Sequence, residues 1–348
     1  MKILGIETSC DETAASVIEG SGDKIKVLSN IVSSQIDIHR KYGGVVPEVA
    51  AREHVLNIVP VVNEALIKAG IKRKDAPRKI NAIAVTQGPG LITSLLAGLE
   101  AARALAYVWR LPLIPINHIE GHIAANFIDN SRVSKIKFPI IALTVSGGHT
   151  SLVLMKKIGS YKVVGETRDD AAGEAFDKAA KLLEVGYPGG PIIATKATIY
   201  NPQSTIHNLD LPRPMINSNN LEFSFSGLKT ALLYAIKKDS SYKQRIPEYC
   251  YEFQQAIIET IISKTIKAAK KFEAKTIMLA GGVAANLELR RQLEEKIKAV
   301  LPGVTYLQPN LEYTTDNAAM IATAGYFHAR KKKFTPWQKI KTNCNLEL

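Results

Sequence analysis

One pattern of elements occurs twice in this sequence, and it limits the fold more than any other feature. Three short apolar runs, typical of strands, are followed by alternating helices and strands. In the first half the predicted strands cover 2–7, 14–19, 26–32, 80–85 and 113–116, and the helices cover 53–69 and 91–109. In the second half the strands cover 139–145, 150–156, 161–166, 275–280 and 304–307, and the helices cover 172–185, 227–237, 248–272, 287–300 and 316–330. Each half begins with too much antiparallel pairing for a Rossmann unit, so we predict an α/β protein of two related domains.

Length and composition agree with that architecture. At roughly 150 residues per domain, the 348 residues predict two domains. Hydrophobic residues make up 46% and charged residues 22%, values that exclude a disordered chain or a coiled coil. No run of eighteen apolar residues and no signal-peptide pattern occurs, so we expect no membrane association. The three cysteines, Cys10, Cys250 and Cys344, lie far apart, which favours a reducing compartment and a cytoplasmic location.

The charge balance suggests a polyanionic partner. Lysine and arginine number 45 against 32 acidic residues, which gives a net charge of +13. Basic residues cluster at 68–79 and again at 330–341. Such an excess is typical of proteins that bind nucleic acid, although evenly solvated surfaces would give the same count.

The segment His118-Ile119-Glu120-Gly121-His122 is the strongest candidate for a metal site. Histidines four residues apart share one face of a helix, so both imidazoles can reach one ion. The glutamate does not directly follow the first histidine as it does in zincins, and it should point away from the histidine face. The alternative is that both histidines are partly exposed and make ordinary hydrogen bonds. By residue type alone, Asp316 and Glu312 are candidates for a third ligand.

Glycine pairs follow several of the predicted strands. Ser146, Gly147 and Gly148 lie between two strands, where glycine lets backbone N–H groups approach an anion. A simple hairpin turn is the alternative. The segment 280–286 (AGGVAAN) runs from a strand into a helix start that suits a nucleotide. The segment 187–191 (YPGGP) has the composition of a turn, and 201–220 has that of a loop.

Eight motifs occur in one order and together are specific. They are ETSCDET at 7–13, HIEGH at 118–122, SGGHT at 146–150, DDAAGEAFDK at 169–178, YPGGP at 187–191, SFSGLKT at 224–230, AGGVAAN at 280–286 and TDNAA at 315–319. Over residues 2–330 the chain resembles the bacterial TsaD family of tRNA N6-adenosine threonylcarbamoyltransferases, formerly labelled O-sialoglycoprotein endopeptidases. This resemblance implies the actin/Hsp70/sugar-kinase fold, two related domains with a nucleotide cleft between them.

Domain limits can be drawn from the resemblance and the element pattern together. We expect a first domain at 1–117, a helical segment with the HIEGH motif at 118–137 and a second domain at 138–325. The C-terminal segment 326–348 should pack back on the first domain.

The resemblance also implies a reaction and the residues for it. Threonylcarbamoyl-adenylate would donate its threonylcarbamoyl group to N6 of the adenosine 3′ of the anticodon, in tRNAs that read ANN codons, with release of AMP. One divalent metal ion, iron or alternatively zinc, would be held by His118, His122 and Asp316. The acidic residues Asp11 and Glu12 would face the reaction centre, with a carboxylate taking the N6 proton. Donor contacts would come from Thr144, Val145, Ser146, Gly147, Gly148, Asp177, Gly190 and Asn286.

Three departures and two rival functions accompany this resemblance, and the first departure is Thr314 in place of the usual cysteine before Thr-Asp-Asn. Thr144 stands where archaeal relatives have a tyrosine ligand, and Ala194 replaces a residue that is often acidic. The expected partners are tRNA, the adenylate, and either a paralogous protein with a small ATPase or a second copy of the chain. A zinc metallopeptidase and a small-molecule kinase are the alternative functions.

Overall fold

The computed structural model describes residues 1–129, 136–201 and 209–348. The chain forms two compact units, one from Met1–Lys135 with Pro309–Leu348 and the other from Ile136–Gln308. The expected boundary after residue 325 differs from this division, because it falls inside a helix that belongs to the first unit. The segment expected as separate at 118–137 likewise lies mostly within the first unit.

The first unit is built on a five-stranded sheet of order β3-β2-β1-β4-β5. The pairs β1–β2 and β2–β3 are antiparallel, whereas β1–β4 and β4–β5 are parallel. The carboxyl ends of β1, β4 and β5 therefore lie at one edge of the sheet. The strands are β1 (Lys2–Glu7), β2 (Glu12–Ser21), β3 (Lys24–Ser34), β4 (Ala82–Gly88) and β5 (Leu113–Asn117).

Helices cover this sheet. They are α1 (Ile36–Arg40), α2 (Pro47–Lys68), α3 (Ala76–Lys79), α4 (Ile92–Trp109) and α5 (His118–Ala124). Helix α2 buries Ile58, Val62 and Leu66 at helical spacing against the core that also holds Leu4 and Ile83. Within the described residues no single helix is long and apolar enough to cross a membrane. The segments Pro47–Lys68 and Arg73–Lys79 reach that length and apolarity only when taken together, and they are bent by 84° relative to each other.

The second unit repeats the plan of the first. Its sheet has the order β10-β9-β6-β7-β8, with β6–β7 and β7–β8 antiparallel and β6–β9 and β9–β10 parallel. The strands are β6 (Ile140–Val145), β7 (Thr150–Lys157), β8 (Ser160–Glu166), β9 (Thr276–Ala280) and β10 (Thr305–Leu307). The two sheets therefore confirm the doubled pattern that the sequence predicts.

The helices of the second unit include one that the sequence did not predict. They are α6 (Ala172–Leu182), α7 (Gly189–Ala197), α8 (Ser226–Lys238), α9 (Ile246–Lys271) and α10 (Leu287–Val300). Helix α7 begins inside the segment that its composition assigned to a turn. The Gly189 N–H donates to the Asp177 carboxylate at 2.7 Å, which satisfies a donor at the new helix start. Of the expected loop at 201–220, residues 202–208 lie outside the described part of the chain.

The last helix, α11 (Ala318–Arg330), packs on the first sheet. Small residues allow this close contact: an added Cβ at Gly5 would lie 2.3 Å from the Ala318 carbonyl oxygen, and one at Gly325 would lie 2.5 Å from Ala84 Cβ. After α11 the chain pairs with β5, where Thr335 N donates to the Leu113 carbonyl at 3.0 Å. The segment just before α11 is thereby placed beside the first sheet, although it is distant in sequence.

Candidate metal centre and active site

Helix α5 presents two buried histidines from the end of β5. The Asn117 side chain caps the helix by accepting hydrogen bonds from Ile119 N at 2.8 Å and Glu120 N at 3.3 Å. One helical turn then separates His118 from His122, and their ring centroids lie 4.6 Å apart. The expectation that both imidazoles share one helix face is confirmed.

Asp316 completes the cluster from the segment before α11. Its Oδ1 atom lies 3.5 Å from His118 Nε2 and 3.2 Å from His122 Nε2. One ligand atom from each of the three residues lies within 4.8 Å of the others. Two imidazole nitrogens and one carboxylate form a donor set that suits divalent iron or zinc. Of the two acids that residue type allowed, the structure therefore selects Asp316.

His122 provides an independent test of whether the cluster fits a metal ion. Its ring is 1% exposed, yet among the residues that the structure describes no atom forms a hydrogen bond with either of its nitrogens. Its Nε2 atom lies 3.2 Å from Asp316 Oδ1, but this contact is an ion pair only if the ring is protonated, and burial lowers the pKa of His122. Buried polar atoms are normally satisfied, so a nitrogen left without a hydrogen bond and aimed at a carboxylate fits a metal ligand.

A carboxylate behind the cluster orients the first histidine. The Glu7 carboxylate, at the end of β1, lies 3.0 Å from His118 Nδ1 and accepts a hydrogen bond from Thr86 Oγ1 at 2.6 Å. A donor on Nδ1 leaves Nε2 free to coordinate, which is the usual arrangement behind metal-bound histidines. This role of Glu7 was not predicted from the sequence. The only signal for it was its place in the ETSCDET motif.

Electrostatics around the cluster favour a cation. Burial lowers the pKa of His118, but the adjacent Asp316 and Glu7 carboxylates outweigh burial and raise that pKa to about 9. Burial would raise the pKa of Glu7, but His118 holds it below its usual value. Burial lowers the pKa of His122, so this ring is a neutral donor. Carboxyl groups that raise the pKa of one buried imidazole, beside a second imidazole that burial keeps neutral, favour a bound cation, which can be a proton or a metal ion.

Glu120, the acid between the two histidines, points elsewhere. Its Oε1 atom lies 2.9 Å from Nε2 of His328 on α11. The expectation that it leaves the histidine face is confirmed, and it joins α5 to α11 instead. Glu120 therefore does not face the three ligands as the general base of a peptidase would.

Asp11 lies in the loop after β1, Glu12 is the first residue of β2, and this junction is held from several sides. His54 Nε2 lies 2.9 Å from the Cys10 carbonyl oxygen, and Ser94 Oγ donates to the same oxygen at 3.1 Å. Asp11 is 8% exposed, and the Glu12 carboxyl is hydrogen-bonded to it. Adjacent side chains in an extended loop would point in opposite directions, but here the two carboxyl groups are in contact. Burial, together with Asp11 and Asp316, raises the pKa of Glu12 well above its usual value.

This raised pKa predicts a stability gain when the charge of Glu12 is removed. Above the unfolded-state value of 4.5 the unfolded chain is ionised while the folded state resists ionisation, so the group opposes folding at neutral pH and ceases to do so below 4.5. Glu12→Gln should therefore stabilise the metal-free protein at pH 7 by roughly 1–3 kcal/mol. Thermal unfolding at pH 7 and near pH 4 measures this, and the gain should vanish at the lower pH. The exposed acid Glu19 on the same strand is the control, because Glu19→Gln should change the stability by less than about 0.5 kcal/mol.

The residues expected to contact the donor all lie in the second unit, and several of them lie at or just after the carboxyl ends of β6 and β9. An added Cβ at Gly147 or Gly148 would meet no described atom within 4 Å, whereas one at Gly281 would lie 2.4 Å from the Val145 carbonyl oxygen. The N–H of Gly173, in the first turn of α6, donates to the Ser146 carbonyl at 3.2 Å. The glycine hairpin, the start of α6 and the glycines after β9 are therefore neighbours.

Several of these residues already have structural partners. Thr144 Oγ1 lies 2.6 Å from Ser151 Oγ, and Val145 is fully buried. Asp177 accepts the Gly189 N–H at the start of α7, next to Gly190. The Asn286 side chain caps α10 at Leu289 N and donates to Gln254 Oε1 at 2.8 Å. The Thr144 hydroxyl is therefore already in contact with β7, and the Val145 side chain belongs to the core of the second unit.

Comparison with solved structures defines the class of this fold. The crystal structure of HypF from T. kodakarensis matches with a TM-score of 0.63 and 13% identity, over 97% of this chain and 49% of that protein. This chain thus spans about half of the HypF structure. Together with the doubled sheets, the match shows an α/β protein of the actin/Hsp70/sugar-kinase class, here with a two-histidine, one-carboxylate cluster.

The family is defined by sequence. The family model TsaD, described as tRNA N6-adenosine threonylcarbamoyltransferase, matches residues 26–323. A protein of that name from Syntrophomonas wolfei is 49% identical over 335 residues, which cover 96% of this chain and 94% of the relative. A second, from Dehalococcoides mccartyi, is 51% identical over 328 residues, or 94% and 93% of the two chains. The chain belongs to the TsaD family.

Proposed function

We propose that this protein transfers the threonylcarbamoyl group from L-threonylcarbamoyl-adenylate to N6 of the adenosine 3′ of the anticodon in tRNAs that read ANN codons. A bond forms between N6 and the carbamoyl carbon, the bond from that carbon to the phosphate oxygen breaks, and AMP leaves. The proton of N6 passes to a base. The observation that carries this proposal is the convergence of His118, His122 and Asp316 in a member of this family.

The metal ligands in this proposal are His118, His122 and Asp316, with divalent iron as the favoured ion and zinc as the alternative. A bound divalent ion would polarise a carbonyl oxygen of the donor. Glu7 keeps His118 in the tautomer whose Nε2 can coordinate. The remaining chemistry belongs to Asp11 and Glu12, the two acids at the junction of β1 and β2.

Asp11 is the proposed base for the N6 proton, and Glu12 is the substitute. The contact between their carboxyl groups supports this pairing, because two such neighbours cannot easily both be ionised. A positioned base contributes ~10²–10⁴ in rate.

The adenylate is proposed to bind in the second unit. The open backbone of Gly147 and Gly148 can turn N–H groups toward its phosphate, with Ser146 beside them. Thr144 and Val145 would contribute backbone contacts, and Asp177 and Gly190 would contact the ribose. Asn286 would contact the donor from the position that it holds as the N-cap of α10.

The direct test is incubation of the purified protein with threonylcarbamoyl-adenylate and tRNA. Mass spectrometry of the nucleosides should show threonylcarbamoyladenosine, and AMP should appear only when tRNA is present. A parallel reaction with cell extract tests our further proposal that a paralogous partner and a small ATPase, or a second copy of this chain, act with it in the cytoplasm. If no modified nucleoside forms in either reaction, the proposed transfer is wrong.

The same reaction separates the alternatives. A peptidase would release peptide fragments and a kinase would consume ATP, and neither would release AMP in a tRNA-dependent way. The peptidase is further disfavoured because Glu120 contacts His328 and not the metal ligands. The hypothesis of a small-molecule kinase rests on the fold alone, and a fold does not define an activity.

We expect tRNA binding to weaken steeply with salt. The net charge of +13 supports this, and Lys331, Lys332 and Lys333 are exposed after α11. Reversing these three charges should weaken binding and reduce the slope of log affinity against log salt by roughly one for each phosphate that the variant no longer neutralises. Filter binding over a salt series measures both quantities.

A matched reversal at the exposed Lys270, Lys271 and Lys275 is the control for total charge. It should change the salt slope less than the reversal at 331–333. Equal effects of the two triple variants would show that the segment after α11 is not a specific contact.

A further inference from the structure

The last residues of the chain form a strap, residues 341–348, that crosses the ends of β4 and β5. Gln87 Nε2 donates to the Lys341 carbonyl at 2.8 Å, and Asn343 N donates back to the Gln87 carbonyl at 3.0 Å. Ile340 is 2% exposed within the core of the first unit. The strap is therefore anchored where it begins and held along its path.

The strap lies close enough to β4 to require glycine beneath it. A Cβ added at Gly88 would lie 1.8 Å from the Asn343 carbonyl oxygen and 3.2 Å from Leu346 Cβ. The first of these is a backbone atom, so any larger residue at 88 would displace the strap. The close contact between β4 and the strap therefore depends on glycine at position 88 and on the backbone path of the strap.

Asn117 connects the strap to the metal helix. Its Oδ1 atom caps α5 at Ile119 N and Glu120 N, while its Nδ2 atom donates to the carbonyls of Leu346 at 3.2 Å and Glu347 at 3.1 Å. One side-chain amide is thereby held at both ends. Because His118 follows Asn117 directly, the orientation of this amide sets the start of the helix that carries both histidine ligands.

We propose that the C-terminal strap is a structural part of the metal centre and positions His118 and His122 through Asn117. This inference rests on the metal site of the proposed function and makes Asn117 a positioning residue. Groups that support metal ligands from behind typically change metal affinity by ~10–100-fold when removed. Removal of the strap should therefore weaken metal binding without removing any ligand.

Two variants break the same contact from opposite sides. Asn117→Ser keeps a good capping oxygen without adding charge but has no amide to donate to the strap. A chain that ends at Thr342 keeps Ile340 and removes the two acceptor carbonyls. Competition for Zn²⁺ with a chromophoric chelator should show about tenfold weaker affinity in each. The double variant should be no weaker than either single one, because both remove one shared interaction.

Cys344→Ser is the matched control. The Cys344 side chain is exposed, and its backbone carbonyl makes the contact with Gly90 N at 3.3 Å. This variant should bind Zn²⁺ like the parent, which also excludes a zinc contact from its thiol. Additive weakening in the double variant, or parent affinity in the truncated chain, would overturn the inference.

Hydrogen exchange gives a readout that needs no metal. In Asn117→Ser and in Gly88→Ala, peptides from the strap should exchange faster, and in the truncated chain α5 should exchange faster. Unchanged exchange in α5 after truncation overturns the inference. If the parent binds no zinc, the metal part of the proposed function fails, and exchange in α5 still decides the role of the strap. If the affinities shift as expected but no threonylcarbamoyl is transferred, only the proposed reaction fails.

Discussion

Replacing His122 by alanine is expected to remove the metal ion from the purified protein. The parent should contain close to one equivalent of iron or zinc, because three ligand atoms converge within 4.8 Å. Loss of one of three protein ligands should weaken affinity by more than the ~10–100-fold that supporting residues contribute. Metal analysis by mass spectrometry after exhaustive dialysis should therefore find almost none in His122→Ala, and threonylcarbamoyl transfer should fall with it.

His149→Ala is the control for this experiment. His149 belongs to the second unit and is not part of the three-residue cluster. Its replacement should leave the metal content unchanged, whatever it does to donor binding. Normal metal content in His122→Ala would contradict the assignment of His122 as a ligand, and with it the three-residue metal site.

Asp11→Asn is expected to lower the rate of transfer by at least about a hundredfold, the lower end of what a positioned base contributes. Asparagine keeps the size of the side chain and most hydrogen bonds, but it cannot take the N6 proton. Since Asp11 is not among the metal ligands, metal content should stay at the parent level. Single-turnover kinetics with saturating adenylate and tRNA isolate the chemical step from binding.

The variant Glu12→Gln tests which of the two acids, Asp11 or Glu12, is the base. If Asp11 is the base, Glu12→Gln should lose less activity than Asp11→Asn. If the order is reversed, Glu12 is the base and its raised pKa is part of its function. Parent rates in both variants would show that neither carboxyl group takes the proton, and a group of the donor itself would have to do so.

Local patterns in the sequence were sufficient for much of the fold. Apolar periodicity predicted the ten strands that the structure describes and all of the longer helices, although not the short helices α1 and α3, since burial on one face leaves a regular pattern of residue types. Helix α7 was missed, because Gly189 and Gly190 resemble a turn and the Asp177 carboxylate that stabilises the helix start lies in another helix. The domain limits also differed, because no local pattern shows that α11 returns to the first sheet.

The sequence by itself determined the histidine pair of the site, since the spacing of His118 and His122 places both rings on one helix face wherever that helix packs. Only the tertiary structure decided what completes the site. Asp316 completes the site because the small residues of α11 let that helix lie against Gly5 and Ala84, which places the segment before the helix beside the histidines. The same helix carries His328, which contacts Glu120. The tertiary structure also brought Glu7 behind His118 and the strap onto Asn117. These contacts join segments that are far apart in the chain, and such pairings depend on packing and not on local pattern.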